Sequence, residues 1–387
     1  MRFKLTTLAC ALVMAAAEPG AMRTSAASNS MLVYVGTYTQ KGSEGIYAFR
    51  FDEKTGALQP IGLAARTSNP SFLAVHPNGR WLYAVNEDEV YKGAKTGSVS
   101  AFAIDRASGR LTHLNQQSSH GGAPCHITID SAGRYALVAN YAAGTVAVLP
   151  IAADGRLGEA TSVVQHTGSG AHPDRQKGPH AHAIIVDGAN RFALAADLGI
   201  DKVLVYRFDT AQGKLWAHDP PAAVLKPGSG PRHIAFSPSG RWLYAINELS
   251  STITAFGWHP DRGVLTVGAT TTTLPASFTG ANTTAEIAVH PSGRFVYGSN
   301  RGHDSIAVFG ADGRTGALTP VGHMSTGGRT PRNFALDPEG RWLVAANQNS
   351  NSLVVFRVDE KTGMLERAGE PTVVPMPVCV LFVPSTT

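Results

Sequence analysis

The sequence predicts an all-β protein, a seven-bladed β-propeller of four-stranded blades closed by pairing of its N- and C-terminal strands. Three observations carry this. A five-residue turn ending in Arg recurs six times, as HPNGR (Arg80), DSAGR (Arg134), DGANR (Arg191), SPSGR (Arg241), HPSGR (Arg294) and DPEGR (Arg341), at spacings of 47 to 57 residues. A Gly-x-Leu mark recurs seven times, ending at Leu58, Leu111, Leu157, Leu215, Leu265, Leu318 and Leu365. The copy that lacks the turn has its strands divided between the two ends of the chain. A period of this size with several short strands in each copy is the signature of a propeller, in which every blade buries both faces against equivalent neighbours.

Each element of the period has a local reason. A short β-rich run precedes the turn (FLAV, HITI, AIIV, HIAF, EIAV, NFAL) and a second follows it (WLYAV, YALVA, FALAA, WLYAI, FVYGS, WLVAA), so each copy opens with a tight hairpin. The third strand comes next (VSAFAI, VAVLPI, VLVYRF, ITAFGW, IAVFGA, LVVFRV), and the Gly-x-Leu turn leads into the fourth. In the seventh copy MLVYVGTY, GIYAFRFD and ALQPIGLAA lie at the N-terminus, and the missing strand is VCVLFV, residues 378–383. The copying is close: GPRHIAFSPSGRWLYAIN at 230–247 returns as TPRNFALDPEGRWLVAAN at 330–347, with His233 replaced by Asn333.

The first 30 residues read differently. Arg2 and Lys4 precede an apolar run from Leu5 to Ala17, followed by small residues. This is the pattern of a secretory signal, expected to span 1–27 and to leave a single propeller over 28–387, exported to the periplasm or the medium. The run is too short for a stable membrane-spanning helix, and no later segment reaches 18 uninterrupted apolar residues. The formal charge of +5 is mild and no Lys/Arg-rich run is interleaved with aromatics, so nucleic acid is not an expected partner. Cys125 and Cys379 remain after the signal, and with a blade between them two free thiols are expected. A monomer is expected.

The copies serve as internal controls, because positions alike in every blade answer to the fold while polar positions that differ answer to something else. Six residues after the marker Arg stand Asn86, Asn140, Asp197, Asn247, Asn300 and Asn347, a strand-end position expected to bond backbone in the following turn. Eight before it stand Phe72, His126, Ala183, His233, Glu286 and Asn333, and nine before it Ser71, Cys125, His182, Arg232, Ala285 and Arg332. This is the entrance of the strand nearest the axis, and Phe72 and Ala183 show that no blade needs His, Glu or Arg there. Across the hairpin, the residue seven after the marker (Glu87, Tyr141, Leu198, Glu248, Arg301, Gln348) reaches the same rim. Strict alternation would send positions eight and nine to opposite faces.

Arg, His and Glu around a funnel suit an anionic or oxygen-rich small molecule. Arg offers a fork of donors to a carboxylate, phosphate or developing oxyanion, and His and Glu move protons near neutral pH. No G-x-S-x-G elbow, P-loop or H-E-x-x-H is present, so an activated water is the expected nucleophile. The candidate catalytic residues are Glu286 or His233 as base and Arg232 or Arg332 as oxyanion partner. His126, His182, Arg301, Glu248 and Asn333 are the candidate substrate contacts. Glu286 is expected to stay ionised because neighbouring Arg side chains would lower its pKa. His180 and His182 form H-A-H, but the rim puts Arg among the other ligand types, so no metal and no cofactor are expected. Two long connections, NEDEVYKGAKTGSV at 86–99 and HTGSGAHPDRQKGPHAH at 166–182, are candidate lids.

At GSGAHPDRQKGPHAH, GPRHIAF, INELSSTITAF, SNRGHDSIAVF and TPRNFAL the chain closely resembles the bacterial and fungal lactonase family of seven-bladed propellers, over about residues 31 to 384. The family includes the propeller-type 6-phosphogluconolactonases and, more distantly, the carboxy-cis,cis-muconate cyclases. The resemblance implies a hydrolase that opens sugar lactones without an obligatory metal. His126, His182, Arg232, His233, Glu286, Arg301 and Arg332 sit at motif positions resembling the family's proposed cleft. The export signal departs from a cytosolic role and points to a lactone without phosphate. A cyclase acting on a carboxylated lactone would use the same Arg set, whereas a non-catalytic binding propeller would show aromatic or blade-repetitive rim residues.

Overall fold

The computed structural model describes residues 30–383; the signal expected over 1–27 lies outside them. Seven four-stranded antiparallel sheets stand around one axis. From the axis outward, blade 1 consists of Phe72–Val75, Trp81–Asn86, Ser98–Ile104 and Leu111–Ser118, and blades 2 to 6 repeat that order. Blade 7 takes its inner strand, Pro377–Val383, from the C-terminus and its other three, Ser30–Thr37, Gly45–Asp52 and Leu58–Arg66, from the N-terminus. The closing pair runs antiparallel from Leu32 opposite Val383 to Gly36 opposite Cys379. This is the expected closure, and it joins the open edges of the first and last blades.

The core lies between blades rather than within them, as seven apolar clusters that each draw on two adjacent sheets. The Gly-x-Leu mark belongs to this packing. Its seven glycines all have φ between +64° and +86°, a conformation that costs other residues strain. The Trp after the marker Arg lies on the neighbouring glycine: a Cβ on Gly155 would stand 2.6 Å from the Trp81 ring, and one on Gly316 would stand 2.4 Å from Trp242. Tyrosines on the second strand complete the contact, with Tyr83 donating to Gly155 O at 3.0 Å and Tyr297 to Gly363 O at 2.9 Å.

The repeated Asx position is structural, with a partner other than the one expected. Asn140, Asn300 and Asn347 donate to the carbonyls of Ser119, Thr273 and Thr326, at 2.9, 2.9 and 3.1 Å. Those carbonyls belong to the segment arriving from the preceding blade, so in these three blades the side chain staples neighbouring blades. Asn247 instead bonds the hydroxyls of Thr252 and Thr254 in the strand that follows, and the expected bond to the following turn is made in blade 3. Asp197 replaces the amide in blade 3, where it accepts from His180 N, Gly199 N and His166 Nδ1. Cys125 and Cys379 are free and buried. No helix among the described residues is long and apolar enough to cross a membrane.

Candidate active site

The inner strands do not alternate strictly. In blades 2 to 6 the ladder shifts at the strand entrance, between Pro124 and His126, Ala181 and Ala183, Pro231 and His233, Thr284 and Ile287, and Pro331 and Asn333. An extra residue at such a bulge breaks the period of two and re-aims the side chains beside it. Two pairs expected on opposite faces therefore share one side: Arg232 with His233 and Arg332 with Asn333 line a small axial cavity, together with Ser71, Phe72, Glu87, Cys125 and Val378.

The deeper layer centres on Glu286. One carboxylate oxygen lies 2.9 Å from His233 Nδ1 and accepts from Ile287 N at 3.0 Å, while the other accepts from Asn333 Nδ2. Asn333 Oδ1 in turn accepts from Val380 N at 2.8 Å. The His233 ring packs against His126 and His182, each 5.3 Å away between centroids, and His126 stacks on Phe72 at 4.5 Å. Burial raises the Glu286 carboxyl to about 7, against the opposing pull of Arg232 and of its hydrogen bonds. The expectation that neighbouring cations hold it low is not met: Arg232 does pull it down, but burial outweighs that pull. Burial first, and then Arg232, drives His182 and His233 well below the usual imidazole range. Burial and His233 take His126 to about 3. His233 Nε2 is buried and has no hydrogen-bond partner among the described residues.

The shallower layer is built on Glu248. Its Oε2 meets Arg301 at 2.8 Å and Arg232 Nε at 3.1 Å, and its Oε1 meets Arg175 at 2.7 Å. Burial alone would raise this carboxyl, but Arg301, Arg232 and Arg175 pull it down to about 2. Two of the cations are also tied to backbone, Arg232 to Ala285 O and Arg301 to Thr284 O, both at 2.8 Å. Burial takes Arg301 down to about 10, against the field of Glu248. Arg332 differs from all of them: it lies over the Tyr38 ring at 5.3 Å and makes no hydrogen bond or ion pair to the described residues. Burial works against its charge, but Tyr38, Glu87 and Glu248 more than offset that and raise its pKa.

All nine candidate residues thus meet at one end of the axis, in two layers. His233, Glu286, Asn333 and His126 form the floor, with His182 beside His233, and Arg232, Arg301, Glu248 and Arg332 stand nearer the mouth. Four contributors stand outside the nine candidates, although the sequence places two of them, Glu87 and Tyr141, at the rim. Glu87, which accepts the Tyr38 hydroxyl at 3.0 Å, and Tyr141 both belong to the series seven after the marker. Tyr38 is that series' seventh member, hidden because blade 7 lacks a marker Arg; its neighbour Thr37 pairs with Pro377 as Asn247 pairs with Pro231. Arg175 comes from a connection that has no counterpart in other blades. Among the described residues, no three His, Cys, Asp or Glu side chains are grouped to hold a metal ion. His180 turns to Tyr141, stacking on its ring at 4.4 Å.

Comparison with known proteins agrees with the fold. The family described as lactonase, 7-bladed β-propeller, matches residues 32–382. A 6-phosphogluconolactonase of Bacillus subtilis is 40% identical over 293 residues, covering 76% of this chain and 81% of that protein. A 6-phosphogluconolactonase of Formosa agariphila is 35% identical over 295 residues, covering 75% and 82%. Among solved structures, the periplasmic gluconolactonase of Pseudomonas aeruginosa superposes with a TM-score of 0.86 at 37% identity, covering 92% of this chain and 99% of that one.

Proposed function

Because the chain belongs to the lactonase family of seven-bladed β-propellers, we propose that it hydrolyses a small sugar lactone at the axial mouth by attack of an activated water. The observation that carries this reading is the pairing of an unpartnered cation, Arg332, with a neutral imidazole, His233, on one small cavity. His233 takes a proton from water at Nε2 while its Nδ1–H donates to ionised Glu286, which fixes the tautomer. The water oxygen attacks the lactone carbonyl, and Arg332, with the N–H edge of Arg232 left free by Glu248 and Ala285, stabilises the oxyanion. The ring C–O bond then breaks, and the leaving oxygen takes the proton back from His233. Asn333 steadies Glu286 from its far side, and His126 and His182 are neutral walls that keep water sparse around the base.

The mouth favours an acidic substrate. Arg175, Arg232, Arg301 and Arg332 face two carboxylates, Glu248 and Glu87, and burial raises the pKa of Glu286. A polyhydroxylated neutral lactone is the second reading, supported by the apolar run and small residues at 1–27, which we propose direct export, and by the likeness to a periplasmic gluconolactonase. N-terminal sequencing of protein from the native host tests the export: a start between residues 18 and 32 supports it, and an intact Met1 removes it. Acid release from a panel of phosphorylated, carboxylated and neutral lactones tests the activity. His233→Ala should lower kcat by about 10² to 10⁴, and Arg332→Lys should reduce it by about 10² or more. Full kcat in both variants would refute the assignment.

A further inference from the structure

Of the four arginines at the mouth, three spend donors on one carboxylate: Arg175, Arg232 and Arg301 meet Glu248 at 2.7, 3.1 and 2.8 Å. Arg332 is held by another means. Its guanidinium carbon lies 5.3 Å from the centroid of the Tyr38 ring, and it makes no hydrogen bond or ion pair to the described residues. A cation drawn to the negative face of a ring is fixed in place without an acceptor on any of its N–H groups. Those donors stay available to whatever enters the cavity that Arg332 lines. A carboxylate in place of the ring would occupy the fork and leave a developing oxyanion to compete with a full negative charge.

The ring is itself pinned across the seam where the propeller closes. At its base Tyr38 N donates to Met376 O at 3.1 Å, just ahead of the closing strand of blade 7. At its tip the hydroxyl lies 3.0 Å from each oxygen of Glu87, at the end of a blade 1 strand. Asn69 locks the two supports together: its side-chain oxygen accepts from Thr39 N at 3.0 Å, and its carbonyl accepts from Glu87 N at 3.0 Å. It does so at a φ of +38°, a left-handed backbone that Asn adopts more readily than most residues. Glu87 also supplies charge, since its field is among those that offset the burial of the Arg332 cation. The counter-charge thus acts without touching the guanidinium. Burial pushes the Tyr38 hydroxyl up, so it stays protonated and remains a donor to Glu87.

We propose that Tyr38, tethered by Glu87, is the positioning residue of the oxyanion arginine: it carries Arg332 with its donors unspent and aimed at the carbonyl oxygen of the bound ester. The inference rests on the lactonase reading and adds a residue to it. Tyr38 is not among the residues that line the cavity, so its contribution reaches the reaction through Arg332.

A double-mutant cycle, measured on a lactone that the protein opens, tests this together with a direct view of the guanidinium. Tyr38→Leu removes the ring and should lower kcat about tenfold to a hundredfold, the range for a misplaced donor, with KM little changed. Tyr38→Phe keeps the ring, loses the tether and should fall between the two. In an Arg332→Lys background the Tyr38→Leu exchange should cost no further kcat, because the group it positions is already gone. A residue that only holds the seam together would lower kcat by the same factor in both backgrounds, and that result would overturn the proposal. The guanidinium is followed by NMR relaxation of the Arg332 side-chain Nε–H, assigned by its absence in Arg332→Lys. It should be ordered in the wild type, less so in Tyr38→Phe, and mobile on the picosecond-to-nanosecond timescale in Tyr38→Leu. An Arg332 that stays ordered without the ring overturns the proposal whether or not a lactone is opened. Should Tyr38→Leu fail to fold, Tyr38→Phe decides alone: wild-type kcat and wild-type Arg332 order in that variant overturn it. Failure of the lactonase reading looks different, since Arg332 would lose order through the same series while the wild type opens no lactone.

Discussion

Replacing Glu248 by Gln should be the most damaging isosteric change at the mouth. The folded protein holds this carboxyl at about 2 against an ordinary 4.5. At 1.36 kcal/mol per unit the difference corresponds to about 3 kcal/mol of stability at neutral pH. The side chain is 6% exposed, so solvent screening removes little of this. A second line of reasoning gives a similar size, since removing one partner of a buried ion pair costs about 3 to 5 kcal/mol by leaving the other charge unpaired. Here two buried cations, Arg232 and Arg301, would lose their carboxylate. The folded value is depressed, so the contribution is fully present above pH 4.5 and is lost as pH falls toward 2. The assay is denaturant unfolding of wild type and Glu248→Gln at several pH values. The gap should be about 3 kcal/mol at pH 7 and shrink to roughly half of that by pH 3. A gap below about 1 kcal/mol at pH 7, or one that does not change down to pH 3, would refute the view that Glu248 holds the arginines.

Three further outcomes follow from the geometry. Lactone hydrolysis should rise with pH through about 7, because Glu286 must lose its proton before it can orient His233 as a base; Glu286→Gln should lower kcat and flatten that limb, and an unchanged profile in the variant would assign the limb elsewhere. Deleting residues 376–387 removes the inner strand of blade 7 and the Val380 N–H that Asn333 accepts, so the chain should fail to give a cooperative unfolding transition; a truncated protein that melts like the full one would disprove closure. Asn140→Ala removes a donor to Ser119 O from a fully buried site and should cost about 1 to 3 kcal/mol with kcat per folded molecule retained; loss of kcat without loss of stability would contradict its reading as a staple.

The fold was legible because it is written seven times. The Gly of each Gly-x-Leu is required by its left-handed φ and, at Gly56, Gly155 and Gly316, by the indole pressed on it, so the mark survives every divergence of the strands. The convergence of the candidate site was legible where a blade departs from its sisters, at His126, His182, Arg232, His233, Glu286 and Arg332. Features with one copy only had nothing to be compared with. Arg175 reaches Glu248 across 73 positions from a connection that occurs once, and no spacing rule foretells that contact. The bulge was hidden for the opposite reason: it recurs in blade after blade, and sequence period alone does not separate a strict strand from one that is offset at its entrance. The direction of the Glu286 pKa shift was misread because a count of nearby cations leaves out the cost of burial, which here outweighs them.

The exchange of His233 for Asn333 in otherwise matching segments is resolved by the residue between them. Blades 4 and 6 flank blade 5, and their equivalent side chains approach the two oxygens of Glu286 from opposite sides, His233 on Oε1 and Asn333 on Oε2. The two flanks have different work. In the proposed mechanism the blade 4 side takes up and returns a proton, with one nitrogen on the carboxylate and the other free, which imidazole provides. On the blade 6 side the neighbour is the closing strand, whose Val380 N–H needs an acceptor while Glu286 needs a donor. A carboxamide supplies both from one planar group and does not titrate. A second His there would offer a donor and an acceptor only in one tautomer and would place another ionisable group on an already coupled carboxyl. Asn333→His should therefore disturb the closing strand and the pH dependence together. A variant that keeps the wild-type pH profile and melting temperature would show that the amide is not what separates the proton-transfer flank from the structural one.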